Sequence, residues 1–68
     1  MSFTEKIRSH RLTKGYSQEY MANELEISQN AYSKLERGET ELTVKRAYEI
    51  AFILGISIYE LFPEKQFP

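Results

Sequence analysis

Residues Gln18 to Arg37 read QEYMANELEISQNAYSKLER, and this stretch decides the fold. Met21, Ala22 and Leu25 repeat at helical spacing, as do Tyr32 and Leu35 further on. Between the two patterns lies Ile27-Ser28, whose serine is a good first cap for a following helix. The reading is two short helices joined by a tight turn. On a helical wheel with Gln29 at 0°, Gln29, Asn30, Ser33, Lys34 and Arg37 spread over roughly 0 to 140°. Ala31, Tyr32 and Leu35 fall at roughly 200 to 300° and make the expected core face. The polar face carries amides, a hydroxyl and two cations but no carboxylate, and Glu36 lies at its border.

Similar punctuation continues on both sides. Ser2, Ser17, Ser28, Thr43 and Ser57 each precede a helix-period segment, where a side-chain oxygen can accept from free first-turn N–H groups. Ser2 with Glu5 and Ser57 with Glu60 have capping-box spacing. All three glycines, Gly15, Gly38 and Gly55, stand just past a periodic segment, where a left-handed residue ends a helix most cheaply. Helices are predicted near 3–14, 18–25, 29–37, 44–54 and 58–62, and no segment alternates like a strand. The expectation is an all-α, five-helix domain over residues 1–62, followed by a short tail at 63–68.

A chain of 68 residues is one small domain. With 41% hydrophobic and 28% charged residues it has the composition of a folded protein. The absence of cysteine removes disulfides, thiolate metal sites and thiol catalysis together. His10 is a single histidine, read as an exposed helical residue, so neither a metal site nor an activated nucleophile can be assembled. No enzyme activity, cofactor or metal is expected. The longest apolar stretch, Ile50 to Ile56, is too short to cross a membrane, and Met1 leads straight into polar sequence without a secretory signal. A cytoplasmic setting is therefore expected. The net charge is -1, which argues against indiscriminate nucleic-acid binding. Through Arg37 there are six bases against five acids, and beyond it three against five. An anionic partner should prefer the first half.

From about Ile7 to Phe62 the chain resembles the Cro/repressor (XRE-type) helix-turn-helix DNA-binding family, through GYSQEYMA, the Ile27-Ser28 turn, LERG and the closing LGISIYELF. The resemblance implies a repressor-like fold whose second and third helices form the motif, and double-stranded DNA as partner. Two residues depart from the family pattern. Glu26 stands at the turn where glycine is usual, which costs on the order of 1 kcal/mol. Tyr32 replaces a β-branched aliphatic residue, and its hydroxyl needs a partner. Independently of the family, amides can pair with adenine and Lys with guanine in the major groove. Gln29, Asn30, Ser33 and Lys34, in the N-terminal half of the third helix, are therefore the base-reading candidates. By resemblance, Gln18 at the start of the second helix would hold a phosphate, with Arg37 and Lys14 as lesser backbone contacts. Resemblance also implies that Arg11 pairs with Glu36, tying the first helix to the third.

In the loop from Glu39 to Thr43, acids stand at Glu39 and Glu41 where the family often places bases. Thr40, Thr43 and Lys45 are the remaining backbone candidates there, and modest non-specific affinity is expected. In the fourth helix Val44, Ala47, Ile50, Ala51 and Leu54 make the expected core stripe. Phe52 and Ile53 point away from it and, with Tyr59, Phe62 and Phe67, suggest a homodimer interface. Symmetric dimers place two recognition helices about 34 Å apart on a palindromic operator. The alternative is that these residues are covered within one chain. The sequence thus points to a sequence-specific transcriptional repressor of a bacterium or mobile element. The alternative is a protein-interaction module of antitoxin or adaptor type on the same scaffold, in which the polar face of the third helix is merely solvated.

Overall fold

The computed structural model describes residues 1–62, which leaves the 63–68 tail, Phe67 included, outside the described part. Four α-helices form: α1 (Phe3–Lys14), α2 (Gln18–Leu25), α3 (Gln29–Glu36) and α4 (Val44–Leu54). A single 3₁₀ turn, Ile58–Leu61, closes the chain, and no strand occurs among the described residues. The fifth helix expected from sequence is thus only this turn. Its capping box is in place, with Ser57 Oγ accepting from Tyr59 N and Ser57 N donating to Glu60. It stops because Phe62 is extended, at φ -75° and ψ 140°. A following proline, here Pro63, disfavours helical geometry in the residue before it.

Every helix starts on a hydroxyl that accepts a first-turn N–H: Ser2 from Glu5, Ser17 from Tyr20, Ser28 from Ala31 and Thr43 from Arg46. Each such cap is worth about 1 kcal/mol, which matters in helices of only 8 to 12 residues. Short helices are held mainly by packing, and here one cluster does it. Ile7 of α1, Met21 of α2, Tyr32 of α3, Ile50 and Leu54 of α4 and Leu61 are all buried to 1% exposure or less. Ala22, at 1% exposed, admits the close approach of α2 and α3, the most extensive helix pair.

Two core expectations need correction. Ala31 is exposed, because the α3 core seam runs through Tyr32, Leu35 and Glu36 and leaves Ala31 beyond its edge. Val44 is 71% exposed, since α4 reaches the core only from Ala47 onward. In addition, His10 is half-buried instead of exposed.

The α2–α3 turn depends on Glu26, which adopts φ 60° and ψ 40°, the only positive φ outside glycine among the described residues. Its N–H and that of Ile27 close the end of α2 onto Asn23 and Ala22 carbonyls, at 3.1 and 3.0 Å. A side chain in this left-handed region strains the backbone by roughly 1 kcal/mol. Glu26→Gly is therefore expected to raise the melting temperature by about 4 to 8 °C. A lower melting temperature in thermal unfolding would contradict the strain.

Candidate nucleic-acid interface

The α3 helix carries the largest share of the candidate residues, and a buried ion pair beneath it sets its position. Arg11 Nε donates to Glu36 Oε2 at 2.8 Å and Arg11 Nη2 to Glu36 Oε1 at 2.9 Å, with the side chains 9% and 3% exposed. Two further donors meet the same carboxylate: Tyr32 Oη at 2.6 Å and Gln18 Nε2 at 3.3 Å. Arg11 Nη1 turns to the Tyr16 carbonyl at 2.9 Å, at the α1–α2 connection. One carboxylate thus gathers donors from α1, α2 and α3. No buried side-chain nitrogen or oxygen lacks a partner among the described residues, the condition for a buried charge to be tolerated.

The titration behaviour follows from this arrangement. Burial works to raise the Glu36 carboxyl, but the hydrogen bonds from Arg11, Tyr32 and Gln18 outweigh it and hold the group below the ordinary carboxylate range. The hydrogen bond to Glu36 raises Arg11. Burial, then the bond to Glu36, pushes the Tyr32 phenol up. The Tyr32 hydroxyl, whose partner the sequence left open, is the shortest of the Glu36 donors.

Above this pair α3 presents Gln29, Asn30, Ala31 and Lys34, and its C-terminal cap Arg37, all exposed, with Ser33 half-buried. Asn30, Ala31 and Lys34 share one shallow depression with Thr40, Thr43 and Arg46. On the opposite flank Gln18, Ser33 and Arg37 line a second depression together with Arg8 and Glu39. Arg8 escaped the sequence reading, although it lies three residues before Arg11 and so shares its side of α1. Ala31, read as core, instead lies exposed and lines the depression with Asn30 and Lys34.

The other sequence candidates are dispersed. Lys45 is exposed at the start of α4, and the Thr43 hydroxyl is engaged in capping that helix. The Lys14 ammonium lies beside Gly55, at 3.6 Å from where a β-carbon would stand, and is not part of either depression. It neighbours the C-terminal end of α4, which favours a cation. The open face is also not free of carboxylate: Glu39 comes back to it, with Oε2 accepting from Arg37 Nε at 2.8 Å. The wheel could not place Glu39, because it lies past the helix end.

On α4, Val44, Tyr48 and Phe52 form an exposed apolar row at spacing of four, and Phe52 is 86% exposed. Tyr59 is exposed too. Ile53 packs partly against the core. Phe62 is half-buried and meets the ring of Phe3 at a tilt and that of Tyr59 edge-on, at ring separations of 5.9 and 5.7 Å. No helix of the described residues is long and apolar enough to cross a membrane.

The model of the helix-turn-helix family matches residues 7–61. This chain belongs to the XRE-type helix-turn-helix family. It is 40% identical over 55 residues to an SPbeta prophage-derived uncharacterized HTH-type transcriptional regulator, YonR, of Bacillus subtilis (strain 168). The match covers 81% of the chain and 51% of that relative, so the chain spans about half the relative's length. No solved structure matches significantly. The matched region runs from Ile7 in the core of α1 to Leu61 in the closing turn, and so includes α2, α3 and the Arg11–Glu36 pair.

Removing one member of a buried pair leaves the other charged and alone, at a cost of about 3 to 5 kcal/mol. Arg11→Ala is therefore expected to lower the melting temperature by 10 °C or more, on the order of 4 to 8 °C per kcal/mol. Because Glu36 is held low in the folded chain, its stabilisation is complete above the unfolded-state value of about 4.3 and fades as the pH falls through the lower folded value. Glu36→Gln should flatten the loss of stability on acidification, leaving the smaller contributions of Glu5 and Glu39, which are also held low. Denaturant titrations at several acidic pH values check both the slope and its flattening.

Proposed function

We propose that this chain is a sequence-specific, double-stranded DNA-binding transcriptional regulator, acting as a repressor, that sets α3 into the major groove. The observation that carries this reading is the open row Gln29, Asn30, Ala31 and Lys34 on a helix fixed from below by a fully satisfied ion pair. Amides suit adenine, an ammonium suits guanine and a methyl suits the thymine methyl. Ser33, at the edge of the row, is the fourth polar base-reading candidate. Gln18 begins α2, where first-turn amides have no acceptor within their own helix, and its second Nε2 proton remains for a phosphate oxygen. Thr40, Thr43 and Lys45 serve the backbone on the other flank. Family membership and the transcriptional-regulator name of the relative support the same reading.

The regulator acts as a homodimer on a palindromic operator, without cofactor or metal, in the cytoplasm of a bacterium or of the host of a mobile element. The exposed row Val44, Tyr48 and Phe52, with Tyr59, supports the dimer, since apolar side chains at helical spacing are best covered by a copy of themselves. A second reading, a protein-interaction module, draws on the net charge of -1 and on the carboxylate that Glu39 brings to Arg37.

Selection of duplexes from a random library at near-physiological salt separates these readings. An inverted repeat with half-sites one helical turn apart supports operator reading by a dimer. A single half-site removes the dimer. No enrichment, with retention that vanishes as salt rises, leaves only phosphate attraction and favours the protein-interaction reading. On the selected duplex, Gln29→Ala and Lys34→Ala are each expected to cost roughly 1 to 3 kcal/mol and to relax preference at one base position. Gln18→Ala weakens all sequences evenly. Equal losses on cognate and unrelated duplexes from all three variants would contradict the division between base readers and backbone grip.

A further inference from the structure

The carboxylate that returns to α3 is held there by construction. Gly38, at φ 76°, folds the chain back at the end of the helix, and Glu39 N donates to the Lys34 carbonyl at 2.9 Å. The side chain of Glu39 is thereby brought over Arg37, two residues earlier. Arg37 Nε donates to Glu39 Oε2 at 2.8 Å and Nη2 to Oε1 at 3.2 Å, while Nη1 donates to Ser33 Oγ at 2.6 Å. All three guanidinium nitrogens are therefore engaged. The two-pronged grip on a carboxylate is the same geometry with which arginine holds a phosphate. Both side chains remain half exposed, at 50% and 54%, so the pair is weak and open to a competitor. Arg8 and Gln18 line the same depression as Arg37 and Glu39.

We propose that Glu39 is a specificity-determining residue of this interface: its carboxylate occupies Arg37 as an internal substitute for a DNA phosphate. On unrelated DNA, where phosphates are all that is offered, the guanidinium stays with Glu39 and contributes nothing. On the operator, base contacts by Gln29, Asn30 and Lys34 seat α3 deeply enough for a phosphate to displace the carboxylate, and Arg37 joins the contacts. The residue thus subtracts one contact from non-specific complexes and leaves it in the specific one. The inference rests on the DNA-reading function proposed above, but the Arg37–Glu39 clamp can be tested without DNA.

The test compares the wild-type chain with E39A, R37A and the double variant. Without DNA, the Arg37 Nε–H proton is expected to exchange slowly with water in the wild-type chain and faster in E39A. Equal exchange in both would overturn the clamp itself, whatever the chain binds. With an unrelated duplex, E39A is expected to bind more tightly and to steepen the dependence of log affinity on log salt by about 0.9, the contribution of one phosphate. With the selected operator the gain is smaller, so the ratio of specific to non-specific affinity falls. In the R37A background the same change has little effect. An equal gain in both backgrounds would mean that Glu39 acts by general repulsion, and an unchanged salt slope would mean that Arg37 gains no phosphate. Either result overturns the proposal. If no duplex binds at any salt while the exchange difference persists, the DNA reading has failed and the clamp has not.

Discussion

The carboxylate of Glu36 is the constraint around which the rest of the molecule is arranged. A buried charge is tolerable only when its hydrogen-bonding capacity is met, and here four donors from Arg11, Tyr32 and Gln18 meet it. Those residues sit on three different helices, so satisfying one group fixes how α1, α2 and α3 lie against each other. Apolar packing around Met21, Ala22 and Ile50 supplies most of the driving force, but packing alone is tolerant of rotation. The fork of Arg11 on Glu36 is not, because two parallel N–H···O bonds require one orientation. The consequence outside is that the opposite side of α3 faces solvent in a single pose, which a reading surface needs.

Much of this was legible in the sequence because the signals are local. The hydroxyls of Ser2, Ser17, Ser28 and Thr43 cap the helices that their spacing announces, and Gly15 and Gly55 end α1 and α4 in the left-handed conformation. What could not be read depends on geometry between elements. Ala31 falls on the apolar side of an ideal wheel, yet lies just beyond the seam that α3 shares with its neighbours. Val44 matches the α4 stripe in spacing, but it stays 71% exposed because α4 meets the core only from Ala47 onward. The last periodic segment has a capping box and apolar residues, yet Pro63 follows so soon that only a 3₁₀ turn forms.

Of the candidate site, the residues on α3 were legible as a face and Gln18, Thr40 and Thr43 as its neighbours, whereas Arg8 and the return of Glu39 were not. Arg8 on α1 and Glu39 beyond Gly38 reach the same flank only because the fold returns them there. With a net charge of -1, the chain has no strong positive field to attract DNA at a distance. In the function proposed above, selectivity therefore rests on short-range contacts made by α3. The apolar row on α4 lies on a different element from the polar face of α3, so the proposed assembly and the proposed base reading can be tested separately.

Whether the outward face of α3 reads bases is decided by chemical-shift mapping of the isotopically labelled chain with its selected duplex. The side-chain amides of Gln29 and Asn30 are expected to shift most, together with backbone amides from Ser28 to Lys34 and at Gln18. Smaller changes are expected along Val44, Tyr48 and Phe52. Shifts concentrated on the α4 row, with the Gln29 and Asn30 amides unmoved at saturation, would contradict base reading by α3.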